Sequence, residues 1–271
     1  MSGTEVVVSA LPAWFIPAAA TVFGLVIGSF LNVVIWRVPR GESIVTPRSA
    51  CPKCGHTLTW WEDVPLLSWV VLRGRCRECK QPISIRYPLV EAATGAIFGL
   101  AFWYFGFSFA AAAFAYLGAI GLALSLIDLD VHRLPDAIVL PGYAVLAALF
   151  VAQAVVGADG WWPLLRALIG GLALFMFYFL AAIIYPGGMG FGDVKLAGVL
   201  GFALGWLGWG QLLVGAFAAF LLGGLFSVAL LMAGKAGRRS GIPFGPWMIV
   251  GAGVGVAAGN ALWEAYLGTM M

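Results

Sequence analysis

The sequence predicts an all-α polytopic membrane protein with about eight transmembrane helices and one long loop between the first and second. Its hydrophobic fraction is 62% and only 10% of its residues are charged, whereas soluble domains have about 45–50% apolar and about 25% charged residues. Mean hydropathy is +0.98. Apolar stretches recur along the chain, and most of them reach the ~20 residues that cross ~30 Å of hydrocarbon.

The apolar stretches define eight candidate spans. They cover residues 13–36, 87–107, 108–127, 137–157, 162–186, 194–209, 211–234 and 243–266. The sixth is short, and the second and third meet at a tight Gly-Phe-Ser turn, so the count can differ by one. We predict three parts: an N-terminal transmembrane helix (1–36), a four-cysteine loop (37–86) and a transmembrane domain (87–271). Glycines within the spans are expected to permit close helix packing.

Basic residues predict the orientation of the chain. Nine of the fifteen Lys and Arg lie in residues 37–86, which places this loop in the cytoplasm. With eight spans, the other basic turns fall on the same side. Their residues are Arg133, Lys195, Lys235, Arg238 and Arg239. Arg166 alone falls on the opposite side, and both termini are predicted outside. No Lys or Arg precedes the first span, so we expect it to stay as an anchor.

All four cysteines lie in the loop. Cys51 and Cys54 form one C-x2-C pair, and Cys76 and Cys79 form a second pair after twenty-one intervening residues. This spacing predicts a zinc ribbon with a structural, four-sulfur site. A reducing cytoplasm disfavours disulfides; free thiols or a redox pair are the alternative. The basic residues near the cysteines are explained by membrane topology, so no nucleic-acid partner is predicted.

Two aspartates lie at the ends of apolar runs, where placing an ionised carboxylate costs free energy. Asp128 closes the apolar run 121–127, and Asp193 follows Gly190-Phe191-Gly192 and opens the next run. The predicted topology puts both at the cytoplasmic face. Two nearby carboxylates can share one proton and perform acid–base chemistry. The alternatives are that Asp193 caps a helix and that Asp128 is an interfacial charge, although an acid there opposes the helix dipole.

Five motifs in one order resemble bacterial type IV prepilin peptidases over about residues 24–200. The motifs are residues 28–39, the loop segment 48–84 with its cysteine pairs, the segment 86–91, Asp128 with Leu134-Pro135-Asp136, and Gly190-Phe191-Gly192-Asp193-Val194-Lys195. One departure is Asp63-Val64-Pro65, where the family often has Asn-Ile-Pro.

The resemblance implies a membrane aspartic endopeptidase of the GxGD class, with Asp128 and Asp193 as catalytic residues and 87–271 as the protease domain. It implies a multi-pass protein of the bacterial cytoplasmic (inner) membrane. Its expected substrates are type IV prepilins and pseudopilins, whose short basic leader is cut after a Gly at the cytoplasmic face. Many members also methylate the new N-terminus with S-adenosylmethionine, so we expect this cofactor beside zinc.

Five further residues are predicted to have supporting roles. Gly190 and Gly192 let the backbone approach the substrate closely. Asp136 caps the fourth span or supports the pair, and Lys195 contacts substrate or anchors the helix in the cytoplasm. Glu91 lies just inside the second span, where it pairs with Arg86 or takes part in methyl transfer.

Two other functions remain open at this point. The first is a peptidase without methyltransferase activity, in which the zinc loop is purely structural. The second is a transporter whose aspartates bind cations. Transport sites are expected near the midplane of the membrane, and both acids are predicted at its edge. The sequence makes no prediction of oligomeric state.

Overall fold

The structure is a computed structural model that describes residues 11–157, 160–185, 189–234 and 243–270. Within these ranges the chain is helical apart from turns and two isolated β-bridges. The predicted basic turn at Lys235, Arg238 and Arg239 lies outside the described residues, as do the first ten residues and the last one, on which the predicted location of the termini depends.

Nine α-helices occur in the described ranges. They are α1 (Phe15–Arg37), α2 (Leu67–Val71), α3 (Arg86–Phe105), α4 (Phe109–Val131), α5 (Asp136–Val156), α6 (Trp162–Ile184), α7 (Phe191–Leu207), α8 (Trp209–Met232) and α9 (Gly245–Met270). Seven are long and apolar enough to cross a membrane, and α7 is apolar but has only 17 residues. The predicted all-α membrane fold is confirmed, with seven candidate spans among the described residues, and α7 coincides with the short sixth segment.

The chain divides into two compact units, Met1–Ala123 and Leu124–Met271. The first contains α1, the four-cysteine loop, α3 and most of α4, and the second contains the remaining helices. The predicted division into residues 1–36, 37–86 and 87–271 stays a prediction.

In the first unit, α1 and α3 pack with their backbones in close contact. A Cβ atom added at Gly28 would lie 2.6 Å from the Cα of Glu91, and one added at Gly24 would lie 2.8 Å from the carbonyl oxygen of Thr94. Any larger side chain would push the helices apart. The glycine at the start of the Gly28-Ser29 motif is therefore a requirement of packing.

In the second unit, α6 and α7 approach each other in the same way. A Cβ atom at Gly201 would lie 2.5 Å from the carbonyl oxygen of Gly170, and one at Gly205 would lie 2.8 Å from that of Arg166. Between α8 and α9, a Cβ atom at Gly251 would lie 2.5 Å from the amide nitrogen of Ala219. Glycine thus sets the helix spacing in both pairs.

Arg166 is the one basic residue outside the predicted cytoplasmic turns, and its hydrogen bonds explain its position. Its guanidinium donates to the carbonyl oxygens of Gly205 and Trp206 at 2.6 Å and of Leu207 at 2.9 Å. These are carbonyls of the last turn of α7, which have no partner within the helix. The short helix ends among its neighbours rather than in bulk water, so a cation there satisfies its carbonyls and complements its dipole.

Replacing Gly201 with Ala tests the close packing of α6 and α7. The new methyl group would collide with the backbone of α6, and overpacking of this kind costs about 1–3 kcal/mol. We expect a lower thermal unfolding temperature in detergent. The control is Gly253→Ala in α9, where an added Cβ atom has no neighbour within 4 Å. Equal stability of the two variants would contradict the packing role.

Candidate functional site

Asp128 lies in the last turn of α4, which continues to Val131. The predicted end of this span at residue 127 is therefore four residues early. Its carboxylate is buried, and its Oδ2 accepts a hydrogen bond of 3.1 Å from the backbone N–H of Gly245 at the start of α9. Because a buried carboxylate needs a donor, this contact holds the side chain in one orientation.

Asp193 lies in the first turn of α7. The residue that caps this helix is Gly190, and Asp193 is the third residue inside it, so it is not the cap itself. Its Oδ2 accepts the N–H of Gly190 at 3.1 Å, while its own N–H donates to the carbonyl of Gly190 at 3.0 Å. The carboxylate thus folds back over the start of the helix, where the helix dipole favours a negative charge.

The two aspartates interact electrostatically with each other. Leu134 links the segments that carry them. A Cβ atom at Gly192 would lie 2.9 Å from the Cβ of Leu134, and one at Gly245 would lie 3.3 Å from its Cδ2. The ends of α4, α7 and α9 therefore meet around one leucine, and two glycines make this approach possible.

Gly245 is the residue of this site that sequence reasoning missed. A Cβ atom there would lie only 2.8 Å from Oδ2 of Asp128, so no other residue fits without moving the carboxylate. The available signal was the Phe244-Gly245-Pro246 segment at the start of the last span, where proline and glycine mark a helix beginning. Its relation to an acid 117 residues earlier is visible only in three dimensions.

Aromatic rings pack beside the second aspartate. Phe244 lies 5.4 Å from Phe220 and 6.2 Å from Tyr178, measured between ring centroids. Tyr178 is almost fully buried and interacts electrostatically with Asp193. Such surroundings exclude water from one side of the carboxylate pair.

Asp136 and Lys195 form an ion pair. The Nζ atom of Lys195 lies 2.7 Å from both carboxylate oxygens of Asp136, and it stands 5.1 Å from the centroid of the Phe191 ring. The hydroxyl of Tyr143 donates to the carbonyl oxygen of Lys195 at 2.6 Å. These contacts join the start of α5 to the first turns of α7, so the two predicted supporting residues act on each other.

Glu91 belongs to the first unit and is buried in the second turn of α3. Its Oε2 accepts the backbone N–H of Leu66 at 2.8 Å, and its carboxylate also accepts a hydrogen bond from Ser29. Leu66 has φ +60°, and the N–H of Leu67 donates to the carbonyl of Pro65 at 2.6 Å. This is a strained γ-turn, and Glu91 anchors it to the membrane helix.

The four cysteines are positioned to bind a metal ion. Their sulfur atoms all lie within 4.8 Å of one another, with 3.8 Å between Cys51 and Cys79 and 3.9 Å between Cys54 and Cys76. All four lie in the described residues and none forms a disulfide. A tetrahedral ion with sulfur ligands at about 2.3 Å needs sulfur–sulfur distances of about 3.8 Å. The observed donor set fits this requirement.

The two knuckles that carry the cysteines repeat one backbone pattern. In the first, the N–H of Cys51 donates to the carbonyl of His56, and that of Gly55 donates to Cys51; in the second, Cys76 donates to Gln81 and Lys80 donates to Cys76. Backbone N–H groups, that of Cys54 first, lower the pKa of the Cys51 thiol to about 6. The thiolate is the form that binds metals.

His56 contacts the carboxylate of Glu62 and is not one of the four metal-binding residues. Its Nε2 lies 3.2 Å from the carboxylate of Glu62, which is buried. The hydroxyl and the N–H of Thr59 donate to the same carboxylate at 2.5 and 2.9 Å, and they hold the pKa of Glu62 down to about 2. Glu62 therefore stays ionised and fixes the segment after the first knuckle.

Comparisons with known proteins match both halves of the chain. Residues 22–105 match the bacterial peptidase A24 N-terminal domain, and residues 113–228 match the type IV leader peptidase family. A prepilin leader peptidase/N-methyltransferase of Stutzerimonas stutzeri is 36% identical over 281 residues, which cover 92% of each chain. One of Myxococcus xanthus is 41% identical over 86% of this chain and 69% of the relative. One of Pseudomonas aeruginosa is 35% identical over 90% and 91%. No solved structure matches.

The four-cysteine site predicts one bound metal ion per chain. Cys76→Ser replaces the most buried thiol with a weak ligand, so we expect loss of the ion and faster proteolysis of residues 37–86, because metal binding supplies folding free energy to such loops. Elemental analysis of the purified protein and limited proteolysis measure both effects. The control is Ser68→Ala in the same loop. Unchanged metal content in Cys76→Ser would contradict the site.

Proposed function

Because the chain belongs to the type IV leader peptidase family, we propose that it is a membrane aspartic endopeptidase that removes the leader from type IV prepilins or pseudopilins and methylates the new N-terminus. The observation that carries this proposal is the pair Asp128 and Asp193, two acids on separate helices whose ends meet around Leu134 within one unit. The relatives' names contain both activities, so a peptidase without methyltransferase activity is not favoured, and neither is a transporter.

Asp128 and Asp193 act as a dyad that holds one proton. The ionised carboxylate accepts a proton from a water molecule, and the protonated one donates a hydrogen bond to the scissile carbonyl. The water oxygen attacks the carbonyl carbon, the C–N bond then breaks, and the proton taken from the water is passed to the leaving nitrogen. Two carboxylates in a site of low dielectric cannot both ionise easily, so the dyad titrates as a pair.

Each member of the dyad is positioned by a backbone amide rather than by another side chain. Gly245 donates to Asp128 and Gly190 donates to Asp193, so each donor is a glycine whose lack of a side chain leaves space at the carboxylate. Gly192 lets Leu134 lie against the start of α7. We assign these three glycines as positioning residues. The ion pair of Asp136 and Lys195 stabilises the same helix start from α5.

The metal of the four-cysteine site is assigned as zinc. Four thiolates in C-x2-C pairs are the usual donor set of structural zinc and leave no open position for a substrate. Zinc therefore stabilises the loop and does not take part in peptide cleavage. Glu91 is assigned as a positioning residue, because its carboxylate holds the γ-turn at Leu66 that connects the loop to α3.

S-adenosylmethionine is the methyl donor that an N-methyltransferase activity implies. When bound, it would supply an electrophilic methyl group to the new terminal amine. The chain has no glycine-rich G-x-G-x-x-G loop of the soluble type, so we assign no residue to this cofactor.

We place the protein in the bacterial inner membrane with its dyad at the cytoplasmic face, where a short basic leader remains after synthesis.

Asp128→Asn and Asp193→Asn test the dyad. Each change keeps the size of the side chain and removes its ability to carry the shared proton, so we expect cleavage of a purified prepilin to fall by about 10²–10⁴-fold. The exposed neighbour Asp130→Asn, on the same helix end, is the matched control. With a labelled methyl donor in the same assay, an already cleaved pilin reports methylation separately. Cleavage near the wild-type rate in either dyad variant would overturn the assignment.

Gly245→Ala tests the positioning of Asp128. The added methyl group would lie 2.8 Å from Oδ2 of Asp128 and must displace the carboxylate or the start of α9. A misplacement of about 1 Å can cost about 10²-fold in rate, so we expect a loss in kcat while KM changes little. Gly253→Ala in the same helix, where the methyl group has open space, serves as control. A wild-type kcat in Gly245→Ala would exclude this role.

A further inference from the structure

The four-cysteine loop contains a cavity beside the metal site, with Cys76 in its wall. It has a volume of about 250 Å³ and is lined by Leu72, Arg73, Arg75, Cys76 and Lys80. Three of the five lining residues are cations and none is an acid. In the described part of the chain, the side chains of Arg73, Arg75 and Lys80 form no ion pair or hydrogen bond. Three cations without a partner in the described residues thus line one cavity.

Two of these cations occupy backbone positions that favour glycine. Helix α2 ends with hydrogen bonds from Arg73 N–H to the carbonyl of Val70 and from Gly74 N–H to that of Trp69. In this type of helix end, the residue at the position of Arg73 is usually glycine, and Arg73 has φ +52°. Lys80 has φ +58°, at the position that Gly55 takes in the first knuckle. Both positions therefore have a cationic residue although their left-handed backbone conformation favours glycine.

An apolar surface adjoins the cavity. Leu67, Val70 and Val71 are 65, 64 and 71% exposed, and their spacing places them on one face of α2. The other residues of the helix turn towards the loop, where the Trp69 indole N–H donates to the carbonyl of Ile83 at 3.3 Å. A wholly apolar exposed face next to three cations is typical of a surface that lies against a membrane.

Hydrogen bonds hold α2 at the level where the membrane begins. Leu66, immediately before α2, donates to Glu91, which is the sixth residue of α3 and lies about 8 Å along the helix axis from its start. Ile83, which accepts from Trp69, precedes the start of α3 at Arg86 by three residues. Because the headgroup region is about 5–8 Å thick on each side, α2 lies beside the headgroups of the lipids around α3.

We propose that Arg73, Arg75 and Lys80 bind the phosphate of an anionic phospholipid, while Leu67, Val70 and Val71 contact its acyl chain. The charge selects an anionic headgroup, and the apolar face selects a lipid over a free phosphate ion. Bound in this way, the lipid holds the metal-binding loop against the membrane surface. The occupant is a membrane lipid, and its binding does not involve the dyad.

The test is lipid binding by the full-length protein in non-ionic detergent, measured by native mass spectrometry with phosphatidylglycerol and phosphatidylcholine. We expect the wild-type protein to prefer phosphatidylglycerol. Arg73→Gly with Lys80→Gly removes two charges and relieves two strained backbone positions, so the loop should keep its metal while the preference falls by about 30-fold. Arg73→Gln with Lys80→Gln removes the same charges without altering the backbone and should show the same loss.

The charge control is Lys53→Gln with Arg77→Gln, which removes two cations of the same loop that do not line the cavity. It should leave the preference unchanged. An equal loss in this control, or wild-type preference in either double variant, overturns the proposal.

The apolar part of the site is tested by Val70→Gln, with the exposed loop residue Val45→Gln as control. Val70→Gln should weaken phosphatidylglycerol binding while Val45→Gln should not. Competition with inorganic phosphate distinguishes a phospholipid headgroup from a free phosphate ion. Inorganic phosphate should not displace the lipid at equal concentration. Displacement by phosphate, or equal effects of the two valine variants, would show that a free anion is bound and would exclude the lipid.

Discussion

A carboxylate inside a membrane protein must be given a hydrogen-bond donor, and three acids of the described residues each accept a hydrogen bond from a backbone amide. Asp128 accepts from Gly245, Asp193 from Gly190, and Glu91 from Leu66. An amide donor carries no charge, so it satisfies the carboxylate without neutralising it. An arginine in its place would form a salt bridge and leave the acid unreactive.

Close backbone approach is the second condition, because an amide can reach a buried carboxylate only where no side chain intervenes. Gly245 meets this condition at Asp128, and Gly28 permits a different close contact, that of α1 with the backbone of α3 at Glu91. The same residue type sets the distance between α6 and α7 through Gly201. Helices in lipid gain little from burying apolar surface against each other, so contact between small residues replaces it. The glycines of the spans and the acids of the site are thus parts of one arrangement.

The four-cysteine loop solves a different problem, since it has little apolar core of its own. Four converging thiols, the Glu62 network and the γ-turn at Leu66 each fix one part of it. The thiols and the Glu62 network fix the segments around the cysteines, and the γ-turn joins the loop to α3. Cations at Arg73 and Lys80 occupy left-handed backbone positions, which favour glycine. The loop therefore combines a stable scaffold with a charged surface at the membrane boundary.

The sequence by itself determined the membrane fold, the order of the spans, the metal-binding cysteines and the family, because these depend on composition and on spacing along the chain. The helix bounds differ from the predicted spans by only a few residues, and even the short span at α7 was expected. Long-range pairings were decided by tertiary structure alone. Gly245 contacts an acid 117 residues away, Arg166 satisfies the carbonyls of α7, and Glu91 accepts the backbone N–H of Leu66 from the loop. Such contacts depend on how helices pack, and apolar spans of similar composition carry no local record of which neighbour they will meet.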